Sequence, residues 1–280
     1  MIAPAPKAEE SVPFVLKSGE VLTATVRRSA RSRRPRLSLS PRGGLSLGIP
    51  AAWPLSRVRA LVPDFLPWLE RAWPRFAASR PEAALPEKIV LPLAGRALTV
   101  VPAGAFAAGR AASAGASALV RVGAGSRRVL LLETGESLRL FGATDDVALC
   151  SQALGRWCRA VAGRLLPPHV AALARAHGFT PPAVAVRDQR SRWGSCSRGR
   201  GGTAAPHIQL NWRALLLPRP LLDHLCFHEL CHLRHMDHSP AYRAELARLS
   251  PDWAAQERGL SRAWRELPFW ALPADAPPRG

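Results

Sequence analysis

One short stretch of this chain, residues 223–239, holds five of its eight histidines. At its centre is His228-Glu229-Leu230-Cys231-His232. Two histidines four positions apart on an α-helix differ by about 40° of rotation and about 6 Å of rise, so their imidazoles can reach the same ion. The stretch therefore predicts a helix that carries part of a metal site, and the rest of the chain must fold so as to complete that site.

The residue types in this motif favour zinc and a hydrolytic reaction. Imidazole nitrogens bind Zn²⁺ at about 2.0–2.1 Å. Glu229 directly follows the first histidine, so its carboxylate is expected beside the ion and not on it, where it can take a proton from water. We expect His228 and His232 to be metal ligands and Glu229 to be the general base.

The sequence around the motif predicts that this helix is buried. Pro218 and Pro220 flank its start. An unpaired buried polar group costs about 1–3 kcal/mol, so buried histidines are most simply explained by a bound metal. A surface helix with a solvated histidine face is the alternative. The apolar residues of the segment are Leu221, Leu222, Leu225, Phe227, Leu230 and Leu233.

A catalytic zinc site needs a third protein ligand and keeps its fourth position open for water. Ser239-Pro240 predicts the start of the next helix, with serine as N-cap and proline at the first helical position. His238 lies just before that cap, and we predict that it is the third ligand. His235 is the alternative, although reaching back to the ion beside His232 would be cramped.

The chain is strongly basic, with a net charge of +19 at pH 7. Such a charge is compatible with a nucleic-acid partner. Almost all of it is arginine spread along the whole chain, which is typical of a compositional bias. The densest basic run predicts either a phosphate contact or a solvated strand edge and loop, and we favour the latter. This run consists of Arg27, Arg28, Arg31, Arg33, Arg34 and Arg36.

The five cysteines are an odd number without the spacing of a disulfide framework, which favours a reducing compartment. Glu9 and Glu10 occupy the region where a signal peptide would need its apolar core, and no run of about 18 apolar residues is present. We therefore expect a soluble cytoplasmic protein that has no membrane partner.

Hydrophobic periodicity predicts an α+β fold. Residues 1–142 are expected to form a β-rich, mostly antiparallel region, with one helical layer between residues 50 and 79. Residues 143–268 are expected to form a helical, zincin-type catalytic region, and residues 269–280 a flexible tail. The predicted strands cover residues 12–16, 21–27, 37–40, 45–47, 89–91, 97–101, 119–122, 129–132, 183–187 and 207–212.

The catalytic region is expected to begin with a helix over residues 145–166 that has Thr144 as its N-cap, followed by a shorter helix from Pro168 to His177. A polar, glycine-rich loop is expected to join the last two strands. A sheet edge beside a zinc helix can bind a peptide backbone by strand addition. These strands are therefore either simple core structure or part of a substrate site.

Several motifs occur in the order found in the YgjP-like metallopeptidase family, which the chain resembles most specifically over residues 184–264. They are the segments 190–197 (RSRWGSCS), 210–213 (LNWR) and 228–232 (HELCH), followed by His238-Ser239. The resemblance implies a small gluzincin-like zinc fold, with wider similarity to SprT-like proteases that act at DNA. It also implies that His228, His232 and His238 are ligands and that Glu229 is the general base. The family commonly has Phe-Trp soon after His-Ser, where this chain has Tyr242-Arg243.

Together these features predict a zinc-dependent hydrolase, most simply a peptidase that acts on a peptide or protein. Two alternatives remain: a nucleic-acid-binding protein with a structural zinc site, and a protease acting on DNA-bound proteins. A structural site would be closed by four protein ligands. Three further residues near the motif have open roles: Tyr242 as a substrate hydrogen-bond donor or a packing residue, and His224 and His235 as supporting or surface residues.

Overall fold

The structure is a computed structural model that describes residues 10–104, 118–197 and 206–273. The chain divides into two compact units. The first comprises the described residues up to Glu82 together with residues 272–273, and the second comprises Ala83–Ala271. The mixture of sheets and helices confirms the predicted α+β class. The predicted division of the chain at residue 142 stays a prediction.

The first unit contains a four-stranded sheet with the order β1-β2-β4-β3. Its strands are β1 (Ser11–Val15), β2 (Val21–Ser29), β3 (Arg36–Leu39) and β4 (Leu45–Pro50). The two predicted strands β3 and β4 pair antiparallel as a hairpin, and Gly43 in its turn has a φ of 96°, which favours glycine. The β2–β4 pair is parallel, so the sheet is mixed.

The predicted helical layer of this unit forms two helices, α1 (Leu55–Arg59) and α2 (Val62–Ser79). The interruption between them precedes Pro63, which occupies the first turn of α2, where its missing N–H is not needed. Leu69 is fully buried in the core formed with the sheet. The helical spacing of the apolar residues therefore corresponds to one face of α2 packed on the strands.

The basic run covers the end of β2, the connection to β3 and the first residue of β3. Arg28 donates to Glu10 at 2.9 Å and to the carbonyl oxygens of Ala51 and Trp53, so this guanidinium serves the packing of the unit. Four further arginines of the run are exposed, namely Arg31, Arg33, Arg34 and Arg36. The run is therefore partly structural and partly solvated.

The second unit opens with a five-stranded sheet with the order β5-β6-β9-β8-β7. Its strands are β5 (Lys88–Leu91), β6 (Arg96–Pro102), β7 (Ala118–Ala124), β8 (Arg127–Thr134) and β9 (Ser137–Gly142). Four of these strands were predicted, and β9 was missed. Leu138 and Leu140 of β9 are fully buried, but the alternation that they create is too short to stand out in the sequence.

A single long helix, α3 (Val147–Ala176), follows this sheet. The prediction of two helices with Thr144 as the N-cap was wrong on both points. Asp146 is the cap, and its carboxylate accepts from the backbone N–H of Leu149 at 2.9 Å. The helix continues through Pro167 and Pro168 because Leu166 and His169 on either side of this pair are buried, so tertiary packing outweighs the local cost of the prolines.

A three-stranded sheet follows, with the order β10-β12-β11. Its strands are β10 (Ala183–Arg187), β11 (Gly194–Ser197) and β12 (His207–Asn211). The predicted strands β10 and β12 are confirmed, and they pair in parallel. β11 lies within the predicted loop and was missed, because Gly-Ser-Cys-Ser lacks the β-branched and aromatic residues typical of strands.

Three helices complete the second unit: α4 (Arg219–Cys231), α5 (Pro240–Leu249) and α6 (Trp253–Arg265). Ser239 caps α5 as predicted, accepting from the backbone N–H of Tyr242. α3 anchors α4, since Nε2 of His169 lies 2.7 Å from Oδ1 of Asp223. The helix that bears the motif is thus held against the longest helix of the unit.

The end of the second unit is a short 3₁₀ turn, Phe269–Ala271, whose three residues are buried. Residues 274–280 of the predicted flexible tail lie outside the described part of the chain. None of the helices in the described ranges offers the long apolar stretch that crossing a bilayer requires.

Candidate metal centre

Three histidines converge at the C-terminal end of α4. His228 is in its last turn, His232 is its C-cap, and His238 lies in the loop before α5. One ligand atom from each of the three lies within 4.8 Å of the others. The alternative third ligand, His235, is not part of this cluster, because its Nε2 lies 3.1 Å from Oε2 of Glu245. The structure therefore brings together the three histidines predicted as ligands.

Two of the rings are oriented by hydrogen bonds through Nδ1. In His228, Nδ1 is 2.8 Å from Oε1 of Glu257, and in His232 it is 3.0 Å from the carbonyl oxygen of His235. Because a carbonyl or carboxylate oxygen accepts, each Nδ1 carries a proton and each Nε2 keeps its lone pair. Metal-binding histidines are held in the same way. The donor set therefore fits a transition-metal ion.

Protonation of the two rings differs. Burial lowers the pKa of His232, which favours the neutral form that binds metals. Burial also lowers the pKa of His228, but the hydrogen bond to Glu257 and the nearby negative charges outweigh it, so this pKa lies above its usual value. A metal at this site therefore competes with a proton on His228.

Glu229 is a buried carboxylate beside the cluster, only 3% exposed. Its Oε2 has no hydrogen-bond partner among the described residues. Burial raises the pKa of Glu229 to about 7, against the opposing effects of His228 and Arg192. A buried carboxyl group with an unused oxygen and a near-neutral pKa is suited to accepting and returning a proton at neutral pH.

Gly194, at the start of β11, packs directly against this carboxylate. A Cβ at position 194 would overlap Oε1 of Glu229 and lie 3.0 Å from its Cδ. Any other residue would therefore push the Glu229 side chain aside. The glycine of the Trp-Gly pair is therefore explained by a close approach of backbone to carboxylate.

The segment before Gly194 is held by Asn211, which is completely buried at the end of β12. The Asn211 side chain donates to the carbonyl oxygens of Gln189 and Arg192 at 2.8 and 2.9 Å. Its backbone N–H donates to the carbonyl oxygen of Trp193 at 2.7 Å. The asparagine of the Leu-Asn-Trp-Arg motif thus fixes the loop that presents Gly194 to Glu229.

Glu257 on α6 contacts the histidine cluster and was not singled out in the sequence. Its Oε1 contacts His228 at 2.8 Å and His224 at 3.4 Å. Hydrogen bonds from His224 and His228 hold the pKa of this carboxyl well below its usual range. Glu257 lies on the inward face of α6, between Trp253 and the buried Leu260, and an acidic residue at such a position could have been noticed.

His224 and Tyr242 support the cluster from behind. His224 is 1% exposed and also contacts the hydroxyl of Ser250 at 3.0 Å. The ring of Tyr242 stacks on His232 at 4.8 Å, and its hydroxyl donates to the carbonyl oxygen of His228 at 3.4 Å. Both side chains are therefore engaged in packing around the histidine cluster.

Cys196 on β11 is the one cysteine that is not fully buried. Burial, followed by the negative charge of Glu229, raises the pKa of its thiol to about 11. The thiol is therefore protonated at neutral pH, and a protonated thiol is a poor nucleophile.

A cavity of about 530 Å³ opens beside His228 and Glu229. Its apolar walls include Leu225, Leu260 and Trp264 together with Trp193. The indole N–H of Trp193 donates to the carbonyl oxygen of Leu260 at 2.9 Å, and its ring meets Trp264 edge to face at 5.0 Å. These contacts give the cavity a fixed aromatic wall.

Comparison with known families agrees with this geometry. The family model described as YgjP-like, metallopeptidase domain, matches residues 33–263, a span that contains the histidine cluster, Glu229 and Glu257. Neither the curated proteins nor the solved structures gave a match. The resemblance noted in the motifs is confirmed over most of the chain, which therefore belongs to the YgjP-like metallopeptidase family, and that membership supports a metal-dependent hydrolase of the peptidase type.

Proposed function

We propose that this protein is a zinc-dependent peptidase in which His228, His232 and His238 hold the ion. The observation that carries the proposal is the meeting of three imidazoles with a buried carboxylate, Glu229, that has an unused oxygen. Imidazole ligands suit zinc among the common catalytic metals. A site with three protein ligands leaves one position open, as catalytic zinc sites do.

Bound zinc would supply an acidic centre that lowers the pKa of water toward about 7 and polarises a carbonyl oxygen. Glu229 would accept the proton of the attacking water through its free carboxylate oxygen. It would then deliver this proton to the leaving amide nitrogen. Burial of the Glu229 carboxyl group against Gly194 keeps it in one position throughout.

We further propose that the substrate backbone lies along β11. Among the described strands, β11 pairs with β12 alone. Its other edge therefore offers backbone N–H and C=O groups to a peptide. Extended peptides bind such edges by strand addition. Gly194, the first residue of β11, contacts Glu229, so a peptide on this edge would pass close to the general base.

The activity is tested by incubating the zinc-loaded protein with a library of unstructured peptides and identifying products by mass spectrometry. We expect cleavage at internal amide bonds, complete loss of cleavage after chelation, and its return on adding zinc. A fully zinc-loaded, folded protein that cleaves no peptide in the library would contradict the proposal.

Replacing Gly194 with alanine is expected to displace the Glu229 carboxylate and to lower kcat/KM by about 100-fold, the scale expected for a displacement of about 1 Å. Zinc content should not change, because none of the three histidines is touched. Gly163→Ala is the control, since a Cβ there meets nothing within 4 Å. A Gly194→Ala protein as active as Gly163→Ala would show that this close approach is not needed.

Replacing Glu257 with glutamine is expected to weaken zinc binding by about 10–100-fold, because His228 loses the charged acceptor of its Nδ1–H. The affinity is measured by competition with a chromophoric chelator. Glu245→Gln is the control, since Glu245 pairs with Arg234 and His235 outside the cluster. Equal zinc affinity in the two variants would show that Glu257 does not support metal binding.

The nucleic-acid alternative requires a structural zinc closed by four protein ligands. Among the described residues, the cluster able to hold a metal consists of three side chains. This favours the catalytic proposal. We also propose a cytoplasmic location, which is supported by the five cysteines, all of them free.

A further inference from the structure

The exposed side of α6 carries a stripe of arginines next to the proposed catalytic residues. Arg258, Arg262 and Arg265 are separated by four and three positions, so they lie along one face of the helix. Arg192 lies in the segment just before β11. All four side chains are exposed, and none of their guanidinium groups forms a hydrogen bond or ion pair with another described residue.

These four arginines line two adjoining cavities, which we call the arginine groove. Arg192 and Arg265 belong to the cavity of about 530 Å³ that opens beside Glu229. A second cavity of about 320 Å³ is lined by Arg258, Arg262 and Arg265. The two share Arg265, as well as Glu257 and Ser261, so one continuous depression leads from the metal centre along α6.

The groove has a marked positive excess. Its carboxylates are Glu229, which is buried beside the metal centre, and Glu257, which is engaged by His224 and His228. Two carboxylates cannot balance four guanidinium groups. Guanidinium groups bind carboxylates through paired N–H donors, and a concave site lined by one sign of charge attracts the opposite charge.

The dimensions of the groove match a short peptide. Arg258 and Arg265 are seven residues apart on α6, or about 10 Å along the helix. An extended peptide covers this distance with about three residues. The first cavity has Trp193, Leu225 and Trp264 in its wall. It offers an apolar space for the side chain of the peptide residue that precedes these three.

From this charge and shape we propose that the enzyme selects acidic peptides. An apolar side chain next to the scissile bond occupies the first cavity, and acidic side chains within the following three residues bind the arginines of the groove. This inference rests on the proposed peptidase function, because it names the substrate class of the same site.

The test compares two fluorogenic peptides that differ only at the three positions proposed to bind the groove. One peptide has Asp and Glu at these positions, and the other has Asn and Gln. With the zinc-loaded protein, we expect kcat/KM to be about tenfold higher for the acidic peptide, mainly through KM, as several exposed ion pairs together would give. The preference should weaken as salt concentration rises. In the double variant Arg262→Gln/Arg265→Gln, the ratio between the two peptides should fall toward one.

The matched control is Arg159→Gln/Arg164→Gln, which removes the same charge from exposed positions on α3. This control should keep the full preference, and its loss there would attribute the preference to net charge and overturn the proposal. Equal cleavage of both peptides by the unchanged enzyme would also overturn it, while leaving the peptidase function intact.

A binding measurement tests the preference for acidic peptides even if neither peptide is cleaved. The zinc-loaded Glu229→Gln protein is titrated into each labelled peptide, and fluorescence anisotropy reports binding. Tighter binding of the acidic peptide that is lost in the Arg262/Arg265 double variant supports the proposal, whereas equal or absent binding overturns it. A single-stranded oligonucleotide that binds the same arginines more tightly than the acidic peptide would also overturn it, in favour of a nucleic-acid ligand.

Discussion

Replacing Glu229 with glutamine is expected to lower kcat/KM by about 10²- to 10⁴-fold, the contribution typical of a positioned general base. Glutamine has nearly the shape of glutamate, so it fits the buried site against Gly194, but its amide cannot take a proton from water. Zinc content should stay at the value of the unchanged protein. Hydrolysis rates on a cleaved peptide and metal analysis of the same sample measure both quantities.

The control for this substitution is Glu133→Gln. Glu133 is also buried, at 4% exposure, and accepts from the indole N–H of Trp157 at 2.9 Å. A glutamine oxygen can still accept that bond, so this variant should keep its kcat/KM. If Glu229→Gln retained the activity of the control, the proton transfer would have to be assigned to another group.

Among the residues that follow His232, replacing His238 with alanine should have the largest effect on metal binding. It removes one of three converging imidazoles and leaves two histidines, which cannot hold the ion alone with comparable strength. We expect zinc affinity to fall by more than about 100-fold. That value is the upper end of the loss expected when a residue that only supports a ligand is replaced. Chelator competition gives the affinity, and peptide hydrolysis should fall with zinc occupancy.

His235→Ala is the matched control, since it removes a neighbouring histidine from the same loop. The contact of His235 with the site is its backbone carbonyl oxygen, which accepts from Nδ1 of His232 and survives the substitution. Zinc affinity should therefore change little. A large loss in His235→Ala together with a small one in His238→Ala would reverse the assignment of the third ligand.

The geometry at the end of α4 explains why these two histidines differ. The helix ends at Cys231, and the backbone N–H of His235 donates to the carbonyl oxygen of Cys231 at 2.9 Å, which continues the chain as a tight turn. This turn brings the His235 carbonyl to His232 and directs the following residues back toward the cluster. His238 arrives there just before Ser239 starts α5.

Those parts of the site that depend on local spacing could be predicted from the sequence. The His228–His232 pair follows from helix periodicity, and Ser239-Pro240 is a helix start that depends on only a few neighbouring residues. The choice of a third histidine was less direct, because two candidates, His235 and His238, lie within six residues of His232. Its position relative to the cap of α5 favoured His238, the one that the structure brings to the cluster.

The supporting residues could not be predicted in this way, because they reach the site through tertiary packing. Glu257 approaches His228 from a separate helix, and Gly194 approaches Glu229 from an edge strand. Neither pairing leaves a periodic pattern in the sequence. The motif at residues 190–197 contributes to the family resemblance. Its sequence alone does not show that the backbone of Gly194 lies against the carboxylate of Glu229.

The errors in the predicted fold have a similar origin. A proline at position 168 predicts a helix end from local sterics, but α3 is buried along much of its length and stays continuous. β11 has the composition of a loop, and its pairing with β12 makes it a strand. In both cases the surrounding structure decides the conformation, whereas hairpins such as β3–β4 are decided by their own turn residues.

The most direct test is crystallography of the zinc-loaded protein, with anomalous diffraction measured on both sides of the zinc absorption edge. We expect one zinc ion bound by Nε2 of His228 and His232 and by a ring nitrogen of His238, with Glu229 close by but not coordinating, and a solvent molecule at the fourth position. An ion bound elsewhere, or one closed off by a fourth protein side chain, would contradict the proposed catalytic site.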